Sequence, residues 1–431
     1  MKGRAMTQVR RISRRAFLAA SAVSAAPTIL PRGVLGIAGM PGANDRIVTG
    51  HIGLGGMGRA HLERFREHVG AVCDVDANHL ADALNVLGRK VDVYTDYRAL
   101  LDRHDIDAVV VATPDHWHGL QTVHACQAGK DVYVEKPLCK TIEEGRAMIR
   151  AARRFGRVVQ VGSQGRSAED VRAACLYIRN GQLGRIKRVE CWHTPNPTGG
   201  DPGKMGNPPP ELDWDLWLGP ARWKPYNPDY CHFNFRWMLD FGGGWIRDRG
   251  AHVFAAVFWC LDLDYFTSPV RITATGRPPR EGLWDVPPTL DVEYVFRDLR
   301  LTIIWAQPGT PPVDYEFGAK FEGEKDSLVL KGGHGGCGAE GKAAAYVPSA
   351  DGVRVSVSPG HRENWLACIK SREDPVMPVE AGHAVASLCT LGNLSYQLGR
   401  PLEWDPVKEQ VGGDPEANRM LAMAGRGPWR L

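Results

Sequence analysis

Two hydrophobic patterns alternate along residues 47–165. Short, nearly continuous apolar runs occur at 47–52, 70–73, 91–94, 106–112, 131–135 and 158–161. Between them, apolar residues recur at helical spacing over 59–65, 77–87, 96–103, 116–128 and 141–155. A continuous run such as Ile106-Asp107-Ala108-Val109-Val110-Val111-Ala112 suits a strand buried on both faces. Thr141 followed by Glu144 forms a capping box, and Gly129 and Gly156 close helices. Strand and helix in repeated alternation predict a doubly wound parallel sheet.

Beyond Gly165 the texture changes. A helix is predicted over 168–180 and a strand over 184–194. A long stretch, 196–228, is dense in Pro, Gly and Trp, and loops of that length are usually functional. Strands follow at 270–274, 290–296, 301–305, 315–322, 327–331 and 353–357, then a helix at 381–398 and an extended tail. The glycine-rich turn at 332–338 lacks the Lys-Ser/Thr of a phosphate loop. The pattern predicts a second, α+β domain on a large, mostly antiparallel open sheet, whose open face is a substrate wall or an oligomer surface. The expected organisation is 1–43 signal and arm, 44–165 dinucleotide domain, 166–400 substrate domain and 401–431 tail.

Charge changes this picture at the N-terminus. The formal net charge of the 431 residues is +4. Lys2, Arg4, Arg10, Arg11, Arg14, Arg15 and Arg32 account for the excess, because residues 1–40 contain no acid. The remaining body carries no electrostatic footprint for nucleic acid. Ser13-Arg14-Arg15-Ala16-Phe17-Leu18 is a twin-arginine pattern ahead of a short apolar segment broken by Pro27 and Pro31. Residues 1–26 are therefore expected to be a Tat export signal, engaging the Tat machinery and giving a periplasmic or otherwise exported protein without a permanent membrane span. The ten cysteines form no C-x-x-C pair and no zinc spacing, so buried free thiols and no metal are expected.

The chemistry-bearing residues fall at predicted strand ends. Gly53, Gly55 and Gly58 are spaced G-x-G-x-x-G between the first strand and the first helix, with Gly56 and Met57 inside the turn. That context suits a dinucleotide: a tight turn, a close approach to the pyrophosphate, and close helix–strand packing. Asp74, about 20 residues on, is placed to bind the adenine ribose and favours NAD over NADP. Asp76 offers an alternative helix cap. Glu135-Lys136-Pro137 and Ala112-Thr113-Pro114-Asp115-His116-Trp117-His118 end strands at the same edge. Asp248 and His252, after Gly242-Gly243-Gly244, are four apart and share a helix face. Taken singly, these motifs also fit a surface turn, a capped helix start with exposed histidines, and a helix-stabilising pair.

In combination, GLGGMG at 53–58, ATPDHWH at 112–118, EKP at 135–137 and GGGWIRDRGAH at 242–252 resemble the Gfo/Idh/MocA family, named for glucose–fructose oxidoreductase and inositol dehydrogenase. The tail from Trp404 resembles an exported bacterial subgroup. The resemblance implies a Rossmann domain and an open-sheet domain, assembled as a dimer or tetramer. It implies hydride transfer between NAD and a secondary alcohol of a sugar, cyclitol or glycoside. Lys136 would be the catalytic lysine and His252 the general base, with Asp248 holding substrate or tuning His252. Thr113, Pro114, His118 and Glu135 would line the nicotinamide half, with Gln164 and Arg166 between cofactor and substrate. His193 and Arg236 would belong to the substrate wall. Export further implies a tightly held NAD. The alternative is an NAD-dependent glycosidase working by transient oxidation and elimination.

Overall fold

The computed structural model describes residues 46–308, 314–333 and 336–431. The twin-arginine segment and its arm lie outside the described residues. Residues Val48–Leu431 form one unit, built on two sheets.

The first sheet is wholly parallel. Its strands are β1 (Thr49–Ile52), β2 (Val69–Cys73), β3 (Asp92–Tyr94), β4 (Ala108–Val111), β5 (Asp131–Val134) and β6 (Val159–Val161), in the order β3-β2-β1-β4-β5-β6. The crossovers are helical: α1 (Gly56–Arg64), α2 (Ala77–Leu87), α3 (Tyr97–Leu101), α4 (Asp115–Gln127) and α5 (Ile142–Arg154). Strands β1, β4, β5 and β6 are buried throughout, as their apolar runs require. Thr141 and Glu144 form the expected capping box on α5. The chain reverses direction across the sheet between β1 and β4, and ligands of such sheets bind outside the strand ends at that point.

After α6 (Glu169–Arg179) the chain enters a nine-stranded sheet. Its strands are β7 (Ile186–His193), β8 (Val270–Gly276), β9 (Leu290–Phe296), β10 (Leu301–Ala306), β11 (Phe317–Gly323), β12 (Ser327–Gly333), β13 (Gly336–Gly338), β14 (Leu402–Asp405) and β15 (Gln410–Val411). All neighbours pair antiparallel except β7 and β10. Strict in–out alternation in β9 and β10 buries one face. Helices α9 (Gly250–Leu261) and α11 (Val379–Leu398) pack on it, as when Tyr294 donates to Leu388 O at 2.9 Å.

Two expectations need correction here. Residues 353–357 form no strand: they are largely exposed and have no ladder partner. Residues 401–431 are not simply extended. They add β14 and β15 to the sheet, then a short helix, α12 (Pro415–Arg419), and they bury Trp404 and Trp429. All ten cysteines are free, and only Cys231 is partly exposed. Among the described residues no helix is long and apolar enough to cross a membrane.

Candidate active site

The glycines divide into two pairs with different tasks. Gly53 has φ +85°, and a Cβ there would lie 2.7 Å from Ala112 C and Thr113 N. A Cβ on Gly58 would lie 2.0 Å from Gly53 O, so this glycine lets α1 pack against the turn. Gly58 itself stays behind the cavity wall. Gly55 and Gly56 face open space: a Cβ on Gly56 would meet nothing within 4 Å, and one on Gly55 only the His79 ring at 3.7 Å. Helix α1 begins there with no side-chain cap. Its first N–H groups and its dipole suit a diphosphate.

Asp74 ends β2. Its carboxylate accepts from Leu54 N at 2.6 Å and Asp76 N at 3.0 Å, and lies 3.2 Å from His79 Nδ1. Asp76 is the helix cap, accepting from Asn78 N and His79 N. His232 Nε2 reaches Asp76 Oδ2 at 3.0 Å, and its ring lies 4.4 Å from that of His79. Burial acts to lower the His79 pKa, but the Asp74 hydrogen bond and charge carry it above the ordinary value. Among the described residues Asp76, His79 and His232 also bring three possible metal-ligand atoms within 4.8 Å of one another.

A cavity of about 540 Å³ runs from this corner to the ends of β4 and β5. Gly53, Gly55, Gly56, Met57 and Asp74 line one part of it. Thr113, Pro114, Glu135, Lys136, Arg236, Asp248 and His252 line another. Lys136 Nζ donates to Asp248 Oδ1 at 2.7 Å, and Arg236 Nε donates to the same oxygen at 3.1 Å. Asp248 ends α8 (Trp245–Asp248) and His252 sits in the first turn of α9, with Arg249 between the two helices. Burial alone would raise the Asp248 pKa, but Lys136 and Arg236 hold it well below the carboxylate range. Burial, reinforced by Lys136, lowers that of His252 to about 3. The imidazole is therefore neutral, and its buried Nδ1 has no partner. The cluster holds an ionised acid between two cations, next to a neutral base.

Four expected site residues lie elsewhere, each for a packing reason. His118 has its ring nitrogens 2.8 Å from Pro137 O and Thr113 O, so it ties two loops together from behind. Gln164 turns to Glu135 Oε1 and Tyr133 Oη instead of a ligand. Arg166 is buried, and its charge is spent on Asp264 and Ala255 O. His193 is stacked between Trp245 and Phe317 at 4.3 and 5.6 Å, and burial lowers its pKa to about 4. The glycines before α8 do not line the cavity. A Cβ on Gly243 would lie 2.5 Å from Arg247 Cδ, so the turn makes room for that buried arginine, which donates to Cys139 O and Thr390 Oγ1. His116 and His118, read also as exposed, are both buried.

The sequence reading missed His79, His232, Trp217 and Trp429, which also line the cavity. His79 had a usable signal, since it follows the Asp76 cap at the third helical position. His232 and Trp429 had none, because only the tertiary fold returns them to the dinucleotide domain.

Comparison with known proteins agrees with this geometry. Residues 47–163 match the oxidoreductase family model for an NAD-binding Rossmann fold, Gfo/Idh/MocA. Residues 198–298 and 353–431 match that family's C-terminal alpha/beta domain. The chain is 35% identical to inositol 2-dehydrogenase of Pseudomonas fluorescens, over 35% of this chain and 47% of that protein. It is 36% identical to glycosyl hydrolase family 109 protein 2 of Shewanella sp. strain ANA-3, over 30% of this chain and 35% of that protein. The chain thus spans less than half the length of these curated relatives. Among solved structures, WlbA dehydrogenase from Bordetella pertussis, in complex with NADH and UDP-GlcNAcA, shares the fold with a TM-score of 0.61. The match is 19% identical and covers 83% of this chain and 98% of that one. Levoglucosan dehydrogenase in complex with NADH gives 0.59 at 19% identity, covering 83% and 99%. With both of its domain models matched over more than half of its length, the chain belongs to the Gfo/Idh/MocA oxidoreductase family.

Proposed function

We propose that the protein is an NAD-dependent oxidoreductase acting on a secondary alcohol of a sugar, cyclitol or glycoside. One observation carries this reading: the Lys136–Asp248–Arg236 cluster and the neutral His252 share a cavity with an open glycine turn at a helix N-terminus. The residues fit a dinucleotide. Gly55, Gly56 and the first turn of α1 would hold its diphosphate, and Asp74 the adenine ribose, which favours NAD over NADP. Bound NAD would supply a hydride acceptor. Lys136 holds the hydroxyl oxygen and stabilises negative charge developing on it. His252 takes the hydroxyl proton, for which a neutral imidazole is required. Asp248 fixes Lys136 and Arg236 so that the cations face the substrate.

The test is a panel of sugars, cyclitols and glycosides, offered to the purified protein with NAD and followed by nicotinamide absorbance. No change with any of them rejects the reading. The match to a glycosyl hydrolase family 109 protein supports a second reading: transient oxidation, loss of the aglycone, then re-reduction. That reading requires aglycone release without net NADH.

The twin-arginine pattern supports export through Tat to the periplasm, as a folded protein that carries its NAD with it. Mass spectrometry of cofactor released from exported protein tests both points. The open sheet supports a homo-oligomer, a dimer or tetramer, which light scattering decides.

A further inference from the structure

Oxidising an alcohol produces a proton as well as a hydride, and the proton must leave a cavity filled by cofactor and substrate. The structure offers a route away from that cavity. Glu135 lines the catalytic cavity beside Lys136, yet is only 4% exposed. Its Oε1 lies 2.8 Å from His61 Nε2 and accepts from Gln164 Nε2 at 2.8 Å, while Lys136 N donates to Oε2 at 3.2 Å. A Cβ on Gly162 would lie 2.5 Å from Oε1, so the carboxylate occupies space that only glycine leaves. His61 and Gln164 in turn line a second cavity of about 500 Å³, with Arg64, Arg362 and Glu363 at its rim. His61 Nδ1 and Gln164 Oε1 are buried without a protein partner. Buried polar atoms in a roomy wall are normally satisfied by water. Other charged or titratable groups around His61 are His51, Tyr133 and His361.

We propose that Glu135 and His61 form a proton outlet from the active site to the second cavity; this rests on the oxidoreductase reading above. The substrate O–H bond breaks as its C–H electron pair leaves as hydride to the nicotinamide, and the O–H pair becomes the carbonyl bond. The proton reaches His252 and passes to Glu135, which shares its cavity. Glu135 Oε1 hands it to His61 Nε2, and Nδ1 releases a proton to water. Proton exchange between the ring nitrogens through water resets the imidazole. One proton enters and one leaves for each hydride transferred.

The test uses full-length protein with bound NAD and an excess of whichever alcohol the unsubstituted protein oxidises. Stopped flow records nicotinamide absorbance together with a pH-indicator dye. In the unsubstituted protein, proton release keeps pace with hydride transfer. His61→Gln keeps a donor for Glu135 but cannot relay. It is expected to transfer hydride within about threefold of the normal rate and to delay proton release at least tenfold, with added imidazole restoring it. Glu135→Gln, a second arm should the first variant fold poorly, removes the first carrier, so its proton release is expected to lag its own hydride transfer at least tenfold, whatever the rate of that transfer. Proton release that keeps pace in both variants, or a delay that imidazole leaves unchanged in His61→Gln, overturns the outlet. If the unsubstituted protein reduces no nicotinamide with any alcohol, the underlying oxidoreductase reading fails instead.

Discussion

Replacing Lys136 with Met tests the catalytic cluster most directly, because it removes the charge and keeps most of the stem. The lost contact is the 2.7 Å ion pair with Asp248, whose two side chains are 9% and 10% exposed. Stranding a buried charge by removing its only partner costs about 3–5 kcal/mol. Asp248 is not stranded here: Arg236 Nε remains at 3.1 Å and Arg249 Nε at 3.8 Å. The stability loss should therefore be nearer ~1.5–3 kcal/mol, the scale of one charge-assisted hydrogen bond. Turnover should fall far more, by roughly 10²–10⁴-fold, which is about 3–5 kcal/mol on the barrier. The glycine turn and Asp74 are untouched, so NAD should bind with nearly unchanged affinity. Three measurements separate these effects: thermal unfolding, NAD titration by tryptophan fluorescence, and nicotinamide absorbance with the best substrate of the panel. Turnover within tenfold of normal would refute the role of Lys136. So would a loss explained by failure to bind NAD, because the cavity would then depend on this lysine for its shape and not its chemistry.

Gly58→Ala places a methyl 2.0 Å from Gly53 O, so α1 must move off the turn; a loss of about 1–3 kcal/mol and weaker NAD binding are expected from urea unfolding and titration. His232→Ala removes the contact with Asp76 at 3.0 Å, and should speed NAD release by roughly two- to tenfold, the equivalent of ~0.5–1.5 kcal/mol, in a dilution-and-chase assay. Burial lowers the pKa of His51 and His252 to about 3, and those of His116, His193 and His361 to about 4. The unfolded chain takes up protons on these groups below pH ~6.5 while the folded one does not, so stability should fall from there toward pH ~4. Each group contributes at most ~1.4 kcal/mol per pH unit. His79, with its raised pKa, adds stability only as pH drops from its folded pKa to ~6.5 and contributes no further change below that. A urea midpoint equal at pH 7 and pH 5 would contradict the buried-neutral reading of the five.

What was legible in the sequence follows from which interactions are local. The strand and helix runs of 47–165 are local patterns, and α2 and β9 coincide with the predicted ranges. The glycine turn, Lys136, and the Asp248–His252 spacing are likewise fixed by short segments. Arg166 and His193 misled because a polar residue near a strand end resembles a ligand-binding one. What separates the two is whether a distant group already satisfies it: Asp264 for Arg166, the rings of Trp245 and Phe317 for His193. The apolar alternation at 353–357 predicted a strand, but edge pairing needs a partner, and β13 and β15 already terminate the sheet.

The same dependence on distant groups bears on how the cofactor would be held. Glu211 O accepts from Ala77 N at 2.9 Å and Asp213 N donates to Val75 O at 3.0 Å, so residues 211–213 run alongside the turn that carries Asp74. His232 reaches the same turn. Trp429 packs on Trp117 at 4.9 Å and under the Arg98 guanidinium at 4.5 Å, and Arg426 donates to Gly219 O at 2.9 Å. Part of the cavity wall thus comes from segments distant in the chain, joined to the dinucleotide domain by backbone hydrogen bonds and aromatic contacts. Diphosphate affinity is expected from the open turn at Gly55 and Gly56 and the uncapped start of α1. The rate of cofactor escape is predicted to depend on these borrowed walls, since His232 and Trp429 line the same cavity. Retention and chemistry are therefore separable here: changes at His232 or Trp429 should alter how long NAD stays, while changes at Lys136 alter what it does.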